Sequence, residues 1–518
     1  MSHETGQTEQ KILVEDEIAV FAAEVQASLR QDDFQLTTRL LTDNGSIAWF
    51  AFTKSQLLAI LERLVTEFPT QWAWLHACYR MLTSTSLAYI ENPEFLATLN
   101  PEQNEQRLMF AMLRMANFRK YGRPIEALEQ CHHMQQHLGK MEPILDSRRG
   151  WALHTSVQTG TTAMLAGDFT QALTAFTQAQ LHPLVPKYAF LRRDALIKSA
   201  LIHVCWGNTT TAESFLQRAE RVPRTSSWFE THLDAQRDFV RVLTHSGSNE
   251  ESLANLWAIS LDSIGEMWPF YILTVYRVLE ACGYNDELHH RIEIFESMWF
   301  PRVDRIGFTG SVIPLKKALL ALKVGDVTAA QQDLDRADPN LPYTQLIQAA
   351  AQIYSGQPDQ AIQQISVIRT KTRGFRLLEL RRLAILASAQ YQIGDYPGCL
   401  RTLTTAATRP TGLDTTETVF FSPETRKLAE DRIPEWPAND TRPSVFLTEI
   451  PEPVAVLTSR ELEVLRQLAL GRTRAEAAKN LFVTVNTLKT QLQSIYRKLN
   501  VSSGVDAVAK ATQRGLLS

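Results

Sequence analysis

The stretch LTSRELEVLRQLALG (457–471), RTRAEAAKNLFVTVNTLKTQLQSIYRKLNV (472–501) and SSGVDAVAKATQRGLLS (502–518) decides the C-terminal fold and frames the rest of the chain. Thr458 with Glu461 and Thr473 with Glu476 have capping-box spacing, and Ser503 with Asp506 is a weaker version of it. Gly471 and Gly515 stand where helices end. These signals predict four short helices at about 459–470, 474–481, 485–499 and 504–514. Only Phe482, Val483 and Thr484 join the middle pair, the spacing of a helix-turn-helix whose second helix is free to enter a major groove.

Along that second helix Leu488, Leu492, Ile495 and Leu499 follow 4, 3, 4 spacing and pack inward. Val485, Asn486, Lys489, Thr490, Gln493 and Arg497 are left facing out, a face with cations for phosphates, amides for base edges and no acid. The segment holds ten Lys/Arg against four Asp/Glu, net +6; the whole chain is −3, so residues 1–456 carry −9. A basic module on an acidic body is the charge asymmetry of a DNA reader.

These residues resemble the LuxR-type C-terminal DNA-binding domain almost end to end: LTSRELEVL, the Gly471 stop, the Glu476/Ala478 pair, TLKTQL, IYRKL and the closing GLL. The resemblance implies a transcription factor that binds double-stranded promoter DNA as a homodimer, with RNA polymerase as a further partner. It places groove-reading positions on Lys489, Thr490 and Gln493, beside Val485 and Asn486 on the same face. Phosphate-gripping positions fall on Thr484, Thr487, Arg497 and Lys498. Family members usually carry Lys, Ile and His where this chain has Ala475, Ala477 and Gln491.

Working back through the chain, a turn glycine recurs at Gly122, Gly167, Gly207, Gly247, Gly283, Gly325, Gly356 and Gly394, a period of roughly 40 residues. After each one an apolar or small residue returns at +5, +9 and +12: Ala172, Phe176 and Ala179 after Gly167, and Ala330, Leu334 and Ala337 after Gly325. Gly247 gives the weaker Ser252, Leu256 and Ile259. Spacing of 4 then 3 marks one helix face, and a helix–turn–helix unit at this period is the signature of a helical solenoid. The unit around Gly167, with Gly160 one helix earlier and Phe169 after the turn, resembles the tetratricopeptide repeat. The fold expected is therefore all-α: a tetratricopeptide-like array over 11–409, clearest in 110–409, and a four-helix module over 457–518. The arrangement is similar to that of large MalT-like LuxR regulators.

Between array and module, seven of the chain's 22 prolines fall from Pro410 to Pro453, so 410–456 reads as a Pro-rich linker whose TVFF and SVFL pieces dock onto the body. The first ten residues, MSHETGQTEQ, are polar and read as disordered, without the pattern of a signal peptide. No apolar run approaches the ~18 residues that span a bilayer. Five widely spaced cysteines read as reduced thiols of a cytoplasmic protein.

MalT-like regulators carry an ATPase domain, whose phosphate loop needs Gly-x-x-x-x-Gly-Lys-Ser/Thr. The only Gly-Lys, Gly139-Lys140, is followed by Met141 and has Met134 at the first glycine's place. Cys131-His132-His133 and His289-His290 do not make a metal site, because helix neighbours point about 100° apart and Cys131 falls on a core position. With no Gly-x-Ser-x-Gly or His-Glu-x-x-His either, no catalysis, metal or cofactor is expected. Nine of ten tryptophans lie within 49–299; most read as core. Trp228-Phe229, Trp268 and Tyr271, with Arg192, Arg193 and Lys198 nearby in the array, are the candidate lining for a small-molecule, peptide or protein effector. The rival expectation is an interaction scaffold in which the DNA module is masked or serves as a tether.

Overall fold

The computed structural model describes residues 17–83, 104–140, 150–244, 248–442, 444, 457–499 and 501–513; the polar 1–10 stretch, Gly247 and Gly515 lie outside them. The described residues are helical and contain no strand.

Among the described residues from Asn104 to Ala407 the long helices come in eight successive pairs, from Asn104–Lys120 with Pro124–Leu138 to Arg376–Gln392 with Tyr396–Ala407. The seven described recurrent glycines sit between the two helices of a pair, and Gly122, Gly167, Gly283, Gly325, Gly356 and Gly394 adopt the left-handed backbone that ends the first helix. Gly207 fills the same place with φ −104°. Burial at the +5, +9 and +12 positions follows each of these glycines: Ala127, Cys131 and Met134; Ala212, Leu216 and Ala219; Ala361, Ile365 and Ile368; Cys399, Leu403 and Ala406. At Gly160 a Cβ would lie 2.4 Å from the ring of Phe176, so the small residue sets how closely the two helices of that pair approach.

First and second helices of a pair differ in kind. The second buries one face and leaves the other in water, whereas almost every residue of Trp151–Ala166 and Ala189–Trp206 is buried. The array winds tightly enough for distant first helices to meet: Trp151–Ala166 packs on Gly307–Lys323, and Ala189–Trp206 on Arg376–Gln392. An aromatic column of Phe169, Trp206, Phe270, Phe308 and Phe375 fills the centre, with Phe169 and Phe375 rings 6.3 Å apart. An open concave lining along the whole array is therefore not what the chain forms.

Residues 17–83 add further helices that cover the early pairs. The Phe50 ring lies 4.7 Å from Phe190, the Ser227 hydroxyl donates to the Phe50 carbonyl at 2.9 Å, and the Trp228 indole N–H donates to the Trp49 carbonyl at 3.1 Å.

The proline-rich stretch is folded through Arg442. Asp414 caps the 3-10 helix Thr415–Phe420 and Ser422 caps Pro423–Arg432, with Pro423 at the helix start, where its missing N–H costs nothing. Leu413, Phe421, Ala429, Ile433 and Trp436 share a core with the last helix pair, and Arg376 grips Glu417 through two bonds of 2.6 Å. The TVFF segment thus docks on the body, while SVFL (444–447) lies outside the described residues apart from Ser444.

Candidate functional site

The C-terminal module consists of Ser459–Ala469, Arg474–Asn480, Val485–Leu499 and Gly504–Gln513. Both strong capping boxes form: Thr458 and Glu461 satisfy each other's backbone N–H groups, as do Thr473 and Glu476. Ser503 accepts from the Asp506 N–H at 3.1 Å. Leu488, Leu492, Ile495 and Leu499 close a core with Val464, Leu465, Ala477, Ala478, Ala507 and Ala511. The methyl-sized Ala477 and Ala511 let these short helices pack closely around the third.

That inward stripe leaves Val485, Asn486, Lys489, Thr490 and Gln493 exposed on one side of Val485–Leu499. The helix is the most amphipathic of the module because its apolar residues keep to the 4, 3, 4 spacing. Thr484 precedes it and acts as its cap, its hydroxyl accepting from the Thr487 N–H at 3.1 Å and lying 2.8 Å from the Thr487 hydroxyl. Thr490 donates its hydroxyl proton to the Asn486 carbonyl at 3.1 Å, leaving its lone pairs outward. Arg497 belongs to the same helix, with its side chain outside the described residues. In the turn before the helix Phe482 takes a left-handed φ of 55° and is 96% exposed. Gln491, at the usual histidine position, is half-buried and its carbonyl oxygen finds no partner among the described residues.

Lys498 has a different setting. Its ammonium donates to the Glu461 carboxylate at 2.6 Å, and the same carboxylate oxygen accepts from the Thr458 N–H at 2.7 Å. Burial works to raise the Glu461 pKa, but Lys498, the Thr458 N–H and the Ser494 and Thr458 hydroxyls outweigh it and hold it at about 2. Lys498 therefore ties the first helix of the module to the third. Sequence reasoning missed this pairing; the capping box fixed the place of Glu461, but nothing in it marks a partner two helices further on.

In the array, the sequence-derived lining separates. Lys198 and Trp228 border one cavity between the N-terminal helices and the early pairs. Trp268 is buried, stacked on Phe300 with ring centres 4.5 Å apart, and Tyr271 packs between Phe239 and Phe295. Arg193 is buried in an ion pair with Glu230, and Arg192 donates to the His182 carbonyl. Helical phase explains the split: Leu191, Asp194 and Lys198 lie on the cavity side of their helix, and Arg192 and Arg193 point elsewhere. Much of the remaining wall comes from residues 41–82 and 109–120, to which sequence assigned no site. The one available signal was the density of tryptophan and methionine there. Among the described residues no three His, Cys, Asp or Glu side chains gather as a metal site, and no helix is long and apolar enough to cross a membrane.

Residues 455–511 match the family of bacterial regulatory proteins of the luxR type. Over 66 residues, 12% of this chain and 31% of the relative, the sequence is 46% identical to the probable transcriptional regulatory protein NarL of Mycobacterium tuberculosis. Identity to the transcriptional regulatory protein LiaR of Bacillus subtilis is 40% over 62 residues, 12% of this chain and 29% of that one. The HTH-type transcriptional regulator AlkS of Alcanivorax borkumensis is 31% identical over 108 residues, 21% of this chain and 12% of its own length. The chain thus covers less than a third of each of these relatives, and the C-terminal module is a LuxR-type helix-turn-helix domain.

Proposed function

We propose that the chain is a cytoplasmic one-component transcription regulator: the C-terminal module binds promoter DNA as a homodimer, and an effector on the tetratricopeptide-like array controls it. The observation that carries this reading is the exposed, acid-free side of Val485–Leu499 on a module of net +6.

Each exposed group has a role that its chemistry suits. Lys489 reaches guanine O6 and N7, and the Gln493 amide pairs with the adenine edge; each such contact is worth about 1–3 kcal/mol of discrimination. Thr484 and Thr487, at the helix N-terminus, sit where backbone N–H groups and the helix dipole favour a phosphate. Val485 and Asn486 border the groove-facing side, and Thr490 offers a hydroxyl acceptor there. Arg497 grips the backbone, and Lys498 acts chiefly through Glu461 by holding the module's shape.

One module offers little contact area, so two held at a fixed spacing supply the affinity, and that spacing is a natural point of control. An effector that reshapes the array or its self-association changes it. In vitro transcription with RNA polymerase on promoters that the chain selects tests the reading: output should change on adding the chain, and not with the Lys489→Ala/Gln493→Ala variant. Equal output with and without the chain would refute it.

A further inference from the structure

Residues 17–83 close over the early helix pairs without filling the space beneath them. A cavity of about 590 Å³ remains, a size that suits a small organic ligand. Its walls are apolar and rich in large, adaptable side chains: Trp49, Trp74, Met112, Phe229 and Trp299.

The cavity is not uniformly apolar. Asn117, His154 and Asp194 also line it, and each is buried. Neither atom of the Asn117 amide, nor His154 Nδ1, nor Asp194 Oδ1 finds a hydrogen-bond partner among the described residues. Buried polar atoms left so are rare, because each forfeits its hydration without replacement. Four such atoms on three side chains, gathered on one cavity, mark a place where a ligand supplies the missing partners.

The buried charged groups there, Asp194, Lys198 and the largely buried Arg119, are already matched, while Lys54, which also lines the cavity, is exposed. Lys198 donates to Asp194 at 2.8 Å and to the Thr161 hydroxyl at 2.8 Å, and Arg119 faces Glu266 at 3.1 Å while donating to Gln158 at 2.8 Å. Burial, with the Arg119 charge beside it, lowers the His154 pKa to about 3, so its imidazole stays neutral. Against Asp194, Lys198 and Arg119 a charged ligand head would have to shed its water although each of them keeps a counter-ion of its own. A neutral head that both donates and accepts meets the Asn117 amide as an equal.

We propose that this cavity is the effector site and that it takes a neutral, largely apolar small molecule with one carboxamide-like head, held by Asn117 with Asp194 and His154. Because the ligand touches both residues 41–82 and the array, its binding fastens the N-terminal helices to the early pairs. This deepens the regulatory reading above and rests on it for its consequence, though not for the binding itself.

The test uses the full chain and the fluorescent apolar amine N-phenyl-1-naphthylamine as reporter, displaced by 2-naphthamide or by 2-naphthoate. These two competitors share one ring body and differ in the head. The reporter should bind at one site per chain, with energy transfer from the cavity tryptophans, and naphthamide should displace it about tenfold better than naphthoate, the difference of one well-made hydrogen bond. Asn117→Leu should remove that preference while the reporter still binds. Met112→Trp, which fills the cavity, should abolish reporter binding in a chain that still melts cooperatively. Absence of a saturable reporter site, or naphthoate binding as well as naphthamide, would overturn the proposal; the wild-type comparison decides even if a variant fails to fold. DNA binding of the same preparation is measured alongside, so loss of the site with DNA binding intact refutes this inference alone.

Discussion

Glu461 should contribute more to the stability of the C-terminal module than any other surface-proximal charge in it, and Glu461→Gln should show this. The carboxylate closes a capping box with Thr458 and holds Lys498 at 2.6 Å in a setting that excludes most water. Its pKa is held at about 2 against an ordinary 4.5, which favours the ionised folded form by roughly 3 kcal/mol before screening by nearby solvent. Glutamine keeps the shape and an acceptor but not the charge, so with that screening the expected loss near neutral pH is about 2 kcal/mol. The sign follows from the depressed pKa: the stabilisation is fully present well above pH 4.5, somewhat less than half remains near pH 3, and it disappears as pH falls through about 2. Native-state hydrogen exchange on the intact chain reads this locally. Amides of Ser459–Ala469 should lose about thirtyfold in protection at pH 7 in the variant, with array amides unchanged, and the gap to wild type should narrow at pH 3. A change below ~0.5 kcal/mol at pH 7, the size of an ordinary surface substitution, or a gap that does not narrow in acid, would refute the reasoning.

Other outcomes follow from the same geometry. Arg497→Ala should flatten the dependence of DNA affinity on salt by about one unit, read by anisotropy titrations across salt concentrations, whereas Lys498→Ala should flatten it less and loosen the module. Gly160→Ala puts a methyl 2.4 Å from the Phe176 ring and should cost the array about 1–3 kcal/mol, measured by urea denaturation followed through tryptophan fluorescence.

How much of this was legible depended on the range of the signal. The helix starts in the module are written in adjacent residues, and Thr458/Glu461 and Thr473/Glu476 form the boxes their spacing announced. The inward stripe of Leu488, Leu492, Ile495 and Leu499 was equally local, and so was the glycine frame of the array, where Ala172, Phe176 and Ala179 are all buried. Periodicity tells which face a helix buries, not which distant element covers it. The meeting of Phe169 with Phe375, from opposite ends of the array, therefore had no sequence signature, nor did the cover laid by Trp49 and Phe50 over the early pairs. Trp151–Ala166 is buried on all sides with four threonines along it, so it shows no polar face from which to read orientation. Trp268 and Tyr271 looked like lining because aromatic clusters mark cores and ligand sites alike; only packing against Phe300, Phe239 and Phe295 distinguishes the two. The proline density of 410–456 marks a linker with docked pieces, but proline at a helix start is also compatible with folding, as Pro423 behind Ser422 shows, so density alone does not place the short helices within it.

Selection of genomic DNA fragments by the full-length chain, beside the Lys489→Ala/Gln493→Ala variant, tests the central claim most directly. The account predicts enrichment of a two-fold-related site by the wild type, lost in the variant through about 1–3 kcal/mol of discrimination per residue. Failure of the wild type to enrich any sequence, or equal enrichment by the variant, would contradict it.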